Sequence, residues 1–310
     1  MARLFALIGI VFAALAVAGC SSSGATGVPA PSSAAVPTSA GAATPGATDY
    51  DAMYTAAVSK YQTYVNEQAS GLAQATQGLR DAIARGDLQG ARTAYAKARP
   101  YYLRIQAPAK YVDVSNQIDP QFLYIPIDSG VGMHRIEDGL WTTGSTEGLL
   151  PVAEQLVANT GTLRDALATL PMDALRMTDT YAILDAHPVI TNYEPEPFSH
   201  LGLLDHAADV EGSRFVFDQL RPAIAAASPG LAGDIAAAFD GAEAALQPFR
   251  SADGFVLDTT LSPAQKQTLN QAFHELASNL DLVESVLIGT SKHTSGCFGG
   301  NALKSCQHGP

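Results

Sequence analysis

An all-α fold, built as two up-and-down four-helix bundles packed together, is what this chain predicts. Apolar residues recur at helical spacing through most of residues 49–290, paired stop and start residues punctuate that pattern, and no alternating strand pattern competes with it. Around 240 residues is more than one four-helix bundle usually needs, which gives the two bundles, joined near Pro171 to Pro197.

Residues 1–19 read as an export signal rather than a membrane span. A single basic residue, Arg3, precedes an apolar run from Leu4 to Val17, too short for the roughly 20 residues that cross a bilayer. The run ends in Val17-Ala18-Gly19-Cys20, which resembles a bacterial lipobox, so Cys20 is expected to carry the lipid of a membrane-anchored lipoprotein; a cleaved secretory signal with an incidental cysteine is the alternative. Either way the protein is expected outside the cytoplasm. Residues 20–48 follow as a tether: Ser21 to Thr48 holds no charge and only Ser, Ala, Gly, Pro, Thr and Val, a composition unable to bury enough apolar surface to offset ordering entropy.

The globular part, 49–290, begins with a helix whose stripe is Tyr61, Val65, Leu72, Leu79 and Ile83. It stops at Gly86, and Asp87 starts the next, which runs from about Leu88 to Ile105 with a kink near Pro100. A further helix carries Leu149, Leu156, Leu163 and Leu167 until Pro171. The last is marked by Ser262-Pro263-Ala264-Gln265, a capping box with proline in the first turn, followed by Leu269, Phe273, Leu276, Leu280 and Val283. The tail, 291–310, contains Cys297 and Cys306, whose default reading in an oxidising compartment is a disulfide. The alternative is a small metal-binding tail of His293, Cys297, Cys306 and His308.

A net charge of -12 excludes nucleic acid as an expected partner. The acidic surface agrees with attracting cations, and equally with mere solubility.

Two segments concentrate metal-ligand chemistry. In Gly132-Met133-His134-Arg135-Ile136-Glu137, an imidazole and a carboxylate three residues apart on a helix project from one face and can grip one cation. Glu194-Pro195-Glu196-Pro197-Phe198-Ser199-His200 is a proline-stiffened loop that brings carboxylates beside an imidazole, with Ser199 placed to cap the helix that follows. In that helix Asp205 and Asp209 lie four apart on one face, with His206 and Glu211 pointing elsewhere. Imidazole with carboxylates suits iron, zinc, copper or manganese, and the donor set alone does not choose. Taken singly, an exposed His or Glu in such a segment is more often a solvated surface group or a cap than a ligand.

The chain resembles the imelysin-like proteins, and among them the EfeO and EfeM type of iron-uptake lipoprotein, over most of Tyr54 to Leu287. The resemblance is carried by a Gly-x-His-x-x-Glu signature, read as Gly132, His134 and Glu137 and extended by Asp138, Leu140 and Trp141 in the order HRIEDGLW, by EPFSHLGLLDHAADVEGS at Glu196 to Ser213, and by RSADGFVLDTTLS at Arg250 to Ser262. It implies an all-helical pair of bundles with a metal site around His134 and Glu137, joined by Glu196, His200 and Asp205. It also implies iron, ferrous or ferric, as the bound ion, with zinc or copper as substitutes. The setting it implies is an EfeUOB-type uptake system, with a membrane iron permease and an exported haem peroxidase as partners. The chain looks like the shorter form, without the cupredoxin-like domain of some relatives.

Two departures stand out. Gln106 lies in Arg104-Ile105-Gln106-Ala107-Pro108-Ala109-Lys110, where relatives often have a glutamate, and Phe122-Leu123-Tyr124-Ile125-Pro126 is apolar where relatives are commonly acidic, leaving Asp128. No catalytic residue is expected. The rival readings are an imelysin-type zinc metallopeptidase, for which the helical His-Glu-x-x-His arrangement is absent, and a non-catalytic polysaccharide-binding or interaction lipoprotein.

Overall fold

Residues 48–120, 131–181, 196–252 and 254–290 are described by the computed structural model. Ten α-helices are found among them. They are α1 (Tyr50–Ala84), α2 (Leu88–Leu103), α3 (Gln106–Ala109), α4 (Ser115–Ile118), α5 (Gly132–Trp141), α6 (Leu150–Leu167), α7 (Ala174–Thr178), α8 (Gly202–Ala227), α9 (Pro229–Leu246) and α10 (Pro263–Thr290). The two short antiparallel strands, β1 (Arg250–Ser251) and β2 (Gly254–Phe255), pair between α9 and α10. The fold is all-α, as predicted. None of the described helices is long and apolar enough to cross a membrane.

The helix boundaries follow local chemistry. α1 stops where Gly86 takes φ 69°, a left-handed conformation that glycine adopts at little cost. Asp87 then caps α2, its carboxylate accepting the Gly90 N–H at 2.8 Å. Pro100 sits inside α2 and has no N–H for the preceding turn, and the helix ends three residues later, at Leu103. At α10 the capping box closes in both directions: the Ser262 N–H donates to Gln265 Oε1 at 2.8 Å, and the Gln265 N–H donates to Ser262 Oγ at 3.3 Å.

The helices fall into two groups. α1 packs lengthwise against α2 and α6, while α8, α9 and α10 pack on one another; α8 also lies against α1 and α2, so the groups share a core. Tyr61, Val65, Leu72 and Leu79 of α1 are buried in that core, as are Leu156, Leu163 and Leu167 of α6 and Leu269, Phe273, Leu276, Leu280 and Val283 of α10. Burying one such side chain is worth roughly 1.5–3 kcal/mol, so these stripes account for the packing of the long helices. α5 is short and lies against α2, α4 and α6, which puts its buried face next to α2.

Candidate metal centre

The site starts from a glycine. Gly132 opens α5 with φ 76°, and a Cβ there would stand 2.7 Å from Pro120 Cδ and 2.8 Å from the Ile118 carbonyl oxygen. Only glycine allows this approach without displacing backbone. The close seat brings the end of α4, and with it Asp119, beside the first turn of α5, where His134 projects. His134 and Glu137 share the buried face of α5 one turn apart. At the other end of α5, Arg92 of α2 donates to the Leu140 carbonyl from Nε and Nη2 at 3.0 and 2.7 Å, and Trp141 meets the Tyr95 ring edge-on. α2 therefore presents Tyr95 and Arg99, four residues apart, to the same face of α5. Glu196 and Ser199 arrive from the segment before α8, and Asp205 from its first turn.

These side chains close a ring of polar contacts. Glu137 Oε2 lies 2.9 Å from His134 Nδ1, and His134 Nε2 lies 2.9 Å from Asp119 Oδ1. Arg99 Nη1 reaches Asp119 Oδ2 at 3.0 Å and its Nε reaches Glu196 Oε1 at 2.8 Å. Ser199 Oγ lies 3.0 Å from Glu196 Oε2 and 2.8 Å from Glu137 Oε1, which returns to the start. Glu137 Oε1 also accepts the backbone N–H groups of Ser199, at 2.8 Å, and Phe198, at 3.2 Å, which leaves Oε2 as the oxygen turned to the imidazole. Tyr95 Oη donates to Glu196 Oε2 at 2.9 Å, and Arg99 Nη2 pairs with Asp205. Arg99, Glu137, Glu196 and Asp205 are each no more than 2% exposed.

The electrostatics of so many buried charges is uneven. Burial works against an imidazolium at His134, yet the charge of Asp119 and the contacts with Glu137 and Glu196 outweigh it and raise its pKa to about 10. Burial likewise opposes ionisation of Asp119, but Arg99 and His134 hold its carboxyl well below the usual carboxylate range. Glu137 is lowered as well, since His134 and the Ser199 donors outweigh its burial. Glu196 moves the other way: burial, with Glu137 and Asp205 repelling it, pushes it up despite Arg99. Asp205 is raised to about 6, chiefly by burial. The single Ser199 hydroxyl proton serves only one of the two carboxylates at a time.

The residues singled out in the sequence are distributed as follows. One ligand atom each from His134, Glu137 and Glu196 can be chosen so that all lie within 4.8 Å of one another, and all three residues are buried. Asp205 borders this cluster through Arg99. The His200 imidazole is directed to Asp258, with Nδ1 3.6 Å from Oδ1, and its backbone, at φ 58°, accepts the Asp258 N–H at 3.1 Å. It therefore stands outside the three-residue cluster. Asp209 accepts from Gln106 Nε2 at 2.8 Å, His206 packs near Phe273, and Glu211 pairs with Arg104 at the surface. Ser199 does not cap α8: the residue before that helix is Leu201, with no side-chain cap, because Ser199 is captured by the two glutamates. Cys20, Cys297 and Cys306, with His293, His308, Asp128, Glu194 and the apolar run Phe122 to Pro126, lie outside the described residues.

Sequence reasoning passed over Arg99, Tyr95 and, as a partner of His134, Asp119. A signal for the first existed: Arg99 falls on the α2 face that carries Ala91, Tyr95, Ala98 and Tyr102, all buried. An arginine on an apolar face requires buried acceptors.

A family model described as Imelysin, under a peptidase label, matches residues 57–283. Curated relatives include the "Iron uptake system component EfeO" of Escherichia coli (strain K12), and proteins of the same name from Shigella flexneri and Shigella sonnei (strain Ss046). Each is 29% identical over 264 residues, covering 80% of this chain and 68% of the relative. The family model spans well over half of the sequence and includes His134, Glu137, Glu196, Arg99 and Asp119. The chain belongs to the imelysin family.

Proposed function

We propose that this protein is a non-catalytic, iron-binding component of an iron-uptake system, in which His134, Glu137 and Glu196 hold the ion as cargo. The observation that carries this reading is the convergence of one imidazole and two carboxylates, from α5 and from a segment some sixty residues further on, in one buried cluster. Buried ionisable groups are costly, and clusters of them with displaced pKa values concentrate at sites that do chemistry or bind ions. An imidazole with carboxylate oxygens is a donor set for first-row divalent ions, and the relatives named above are iron-uptake components, which favours iron.

Affinity in such a site is set against release. Arg99 already neutralises part of the carboxylate charge, so an entering cation competes with a guanidinium and with the His134 proton. That competition suits a carrier that must give up its ion. With a leader of residues 1–19 ahead of a lipidated Cys20, we place the protein outside the cytoplasm on a lipid anchor, passing iron to a membrane permease alongside an exported haem peroxidase.

Titration of residues 49–290 with ferrous iron under anaerobic conditions, and with a ferric chelate, tests the reading. Near-stoichiometric binding is expected, abolished in the His134→Ala, Glu137→Ala double variant; unchanged affinity in that variant would remove the site. The peptidase label of the family favours one rival, a zinc peptidase. Zinc-dependent cleavage of a peptide library, lost in Glu137→Gln, would establish it instead.

A further inference from the structure

We infer that Asp119 is a positioning residue that decides which nitrogen of His134 meets the cation: it keeps the proton on Nε2 and leaves Nδ1 to ligate. The inference rests on the cation-site reading above. A neutral imidazole has one protonated nitrogen and one lone pair, and only the lone pair can bind a metal. The two nitrogens of His134 face different surroundings. Nδ1 faces the two glutamates, 2.9 Å from Glu137 Oε2 and 3.9 Å from Glu196 Oε1, so an ion there has two carboxylates at hand. Nε2 lies 2.9 Å from Asp119 Oδ1. An ion at Nε2 would forfeit Glu137 and Glu196. A carboxylate at the outer nitrogen is the arrangement that fixes tautomer and ring orientation in histidine metal sites, and it makes the imidazole a better donor.

Asp119 is itself held on two sides. Its Oδ2 takes Arg99 Nη1 at 3.0 Å, and its backbone sits at the end of α4, against which Gly132 closes. Arg99 also holds Glu196 through Nε at 2.8 Å. One guanidinium thus fixes both the outer partner of the imidazole and one of the inner carboxylates. The glycine of the Gly-x-His-x-x-Glu motif acquires a purpose here: any Cβ at 132 would push Ile118 to Pro120, and Asp119 with them, away from His134.

The test is nitrogen NMR of protein with 15N-labelled histidine, loaded with Zn2+ as a diamagnetic probe. The expected spectrum has His134 Nδ1 shifted by metal coordination and Nε2 still protonated. Coordination through Nε2 would overturn the inference while leaving the cation site standing; a protein that takes up no Zn2+ and no iron would remove both. In parallel, Asp119→Ala should weaken Zn2+ binding about 10- to 100-fold, in the range for outer partners of metal-bound histidines. Asp119→Asn, whose single amide oxygen cannot serve both Arg99 Nη1 and His134 Nε2 as the two carboxylate oxygens do, should lose a similar amount. No loss in either variant would contradict a positioning role. The NMR measurement uses the unaltered sequence, so it decides the matter even if Asp119→Ala fails to fold.

Discussion

The interior around α9 and α10 and the interior between α2 and α5 are both buried, yet they are held by opposite means. The first is apolar: Phe217 and Phe239 have ring centroids 5.5 Å apart, and Leu269, Phe273, Leu276, Leu280 and Val283 turn inward along α10. The second gathers Arg99, Asp119, His134, Glu137, Glu196 and Asp205 into one network. Transfer from water favours burial of the first set and opposes burial of the second. Replacing a buried ion-pair network by apolar residues of similar volume is often neutral or stabilising, so stability alone does not account for the charged interior. The difference teaches that apolar burial accounts for one interior, while the charged interior calls for a further account, which the proposed cation site supplies.

Breaking the charged side of that contrast should give the largest effect. Arg99→Ala would leave Asp119, Glu196 and Asp205 without their shared cation, a loss of about 3–5 kcal/mol in denaturant unfolding. Because a bound metal ion supplies the missing positive charge and stabilises by mass action, saturating Zn2+ should recover part of the loss. A deficit that does not respond to metal would mean that Arg99 serves packing alone. The apolar counterpart is Leu276→Ala, expected to cost about 2–5 kcal/mol by the emptied volume, with no change on adding metal; Leu276 is fully buried.

The pH dependence sharpens the comparison further. His134 has its pKa raised to about 10 in the folded protein, against an ordinary value of 6.5. Its contribution is therefore fully present below pH 6.5 and is lost as pH rises through about 10. Asp205, raised to about 6 from 3.8, contributes in the same sense at lower pH, and that part is gone by neutrality. Metal-free protein should lose stability steadily from pH 6.5 to 9.5, and His134→Gln should flatten the slope; a flat profile in the unaltered protein would contradict the charge pairing. Smallest is Ser262→Ala, which opens the capping box of α10 at a cost of about 1 kcal/mol, with no dependence on metal.

How far the sequence reaches depends on how local each feature is. The capping box at Ser262, the break at Gly86 and Asp87, and the stripe of α10 were legible because each is decided within a few residues. His134 and Glu137 were legible as a pair for the same reason, since a three-residue spacing on a helix fixes their shared face. The Arg99 network was not, because Arg99 meets Asp205 across 106 positions and Tyr95 meets Glu196 across 101. No local periodicity carries such pairings. Ser199 shows how a local rule fails: a serine shortly before a helix reads as a cap, but two buried glutamates compete for its hydroxyl and win. His200 shows the same for a ligand type in the right segment, since its left-handed backbone turns the ring to Asp258.

Anomalous diffraction at the iron edge, from crystals of residues 49–290 grown with iron, tests the central claim most directly. One peak is expected between the three residues, bonded to His134 and to carboxylate oxygens of Glu137 and Glu196. Iron bound elsewhere, with the contacts of His134 to Glu137 and Asp119 intact, would contradict it.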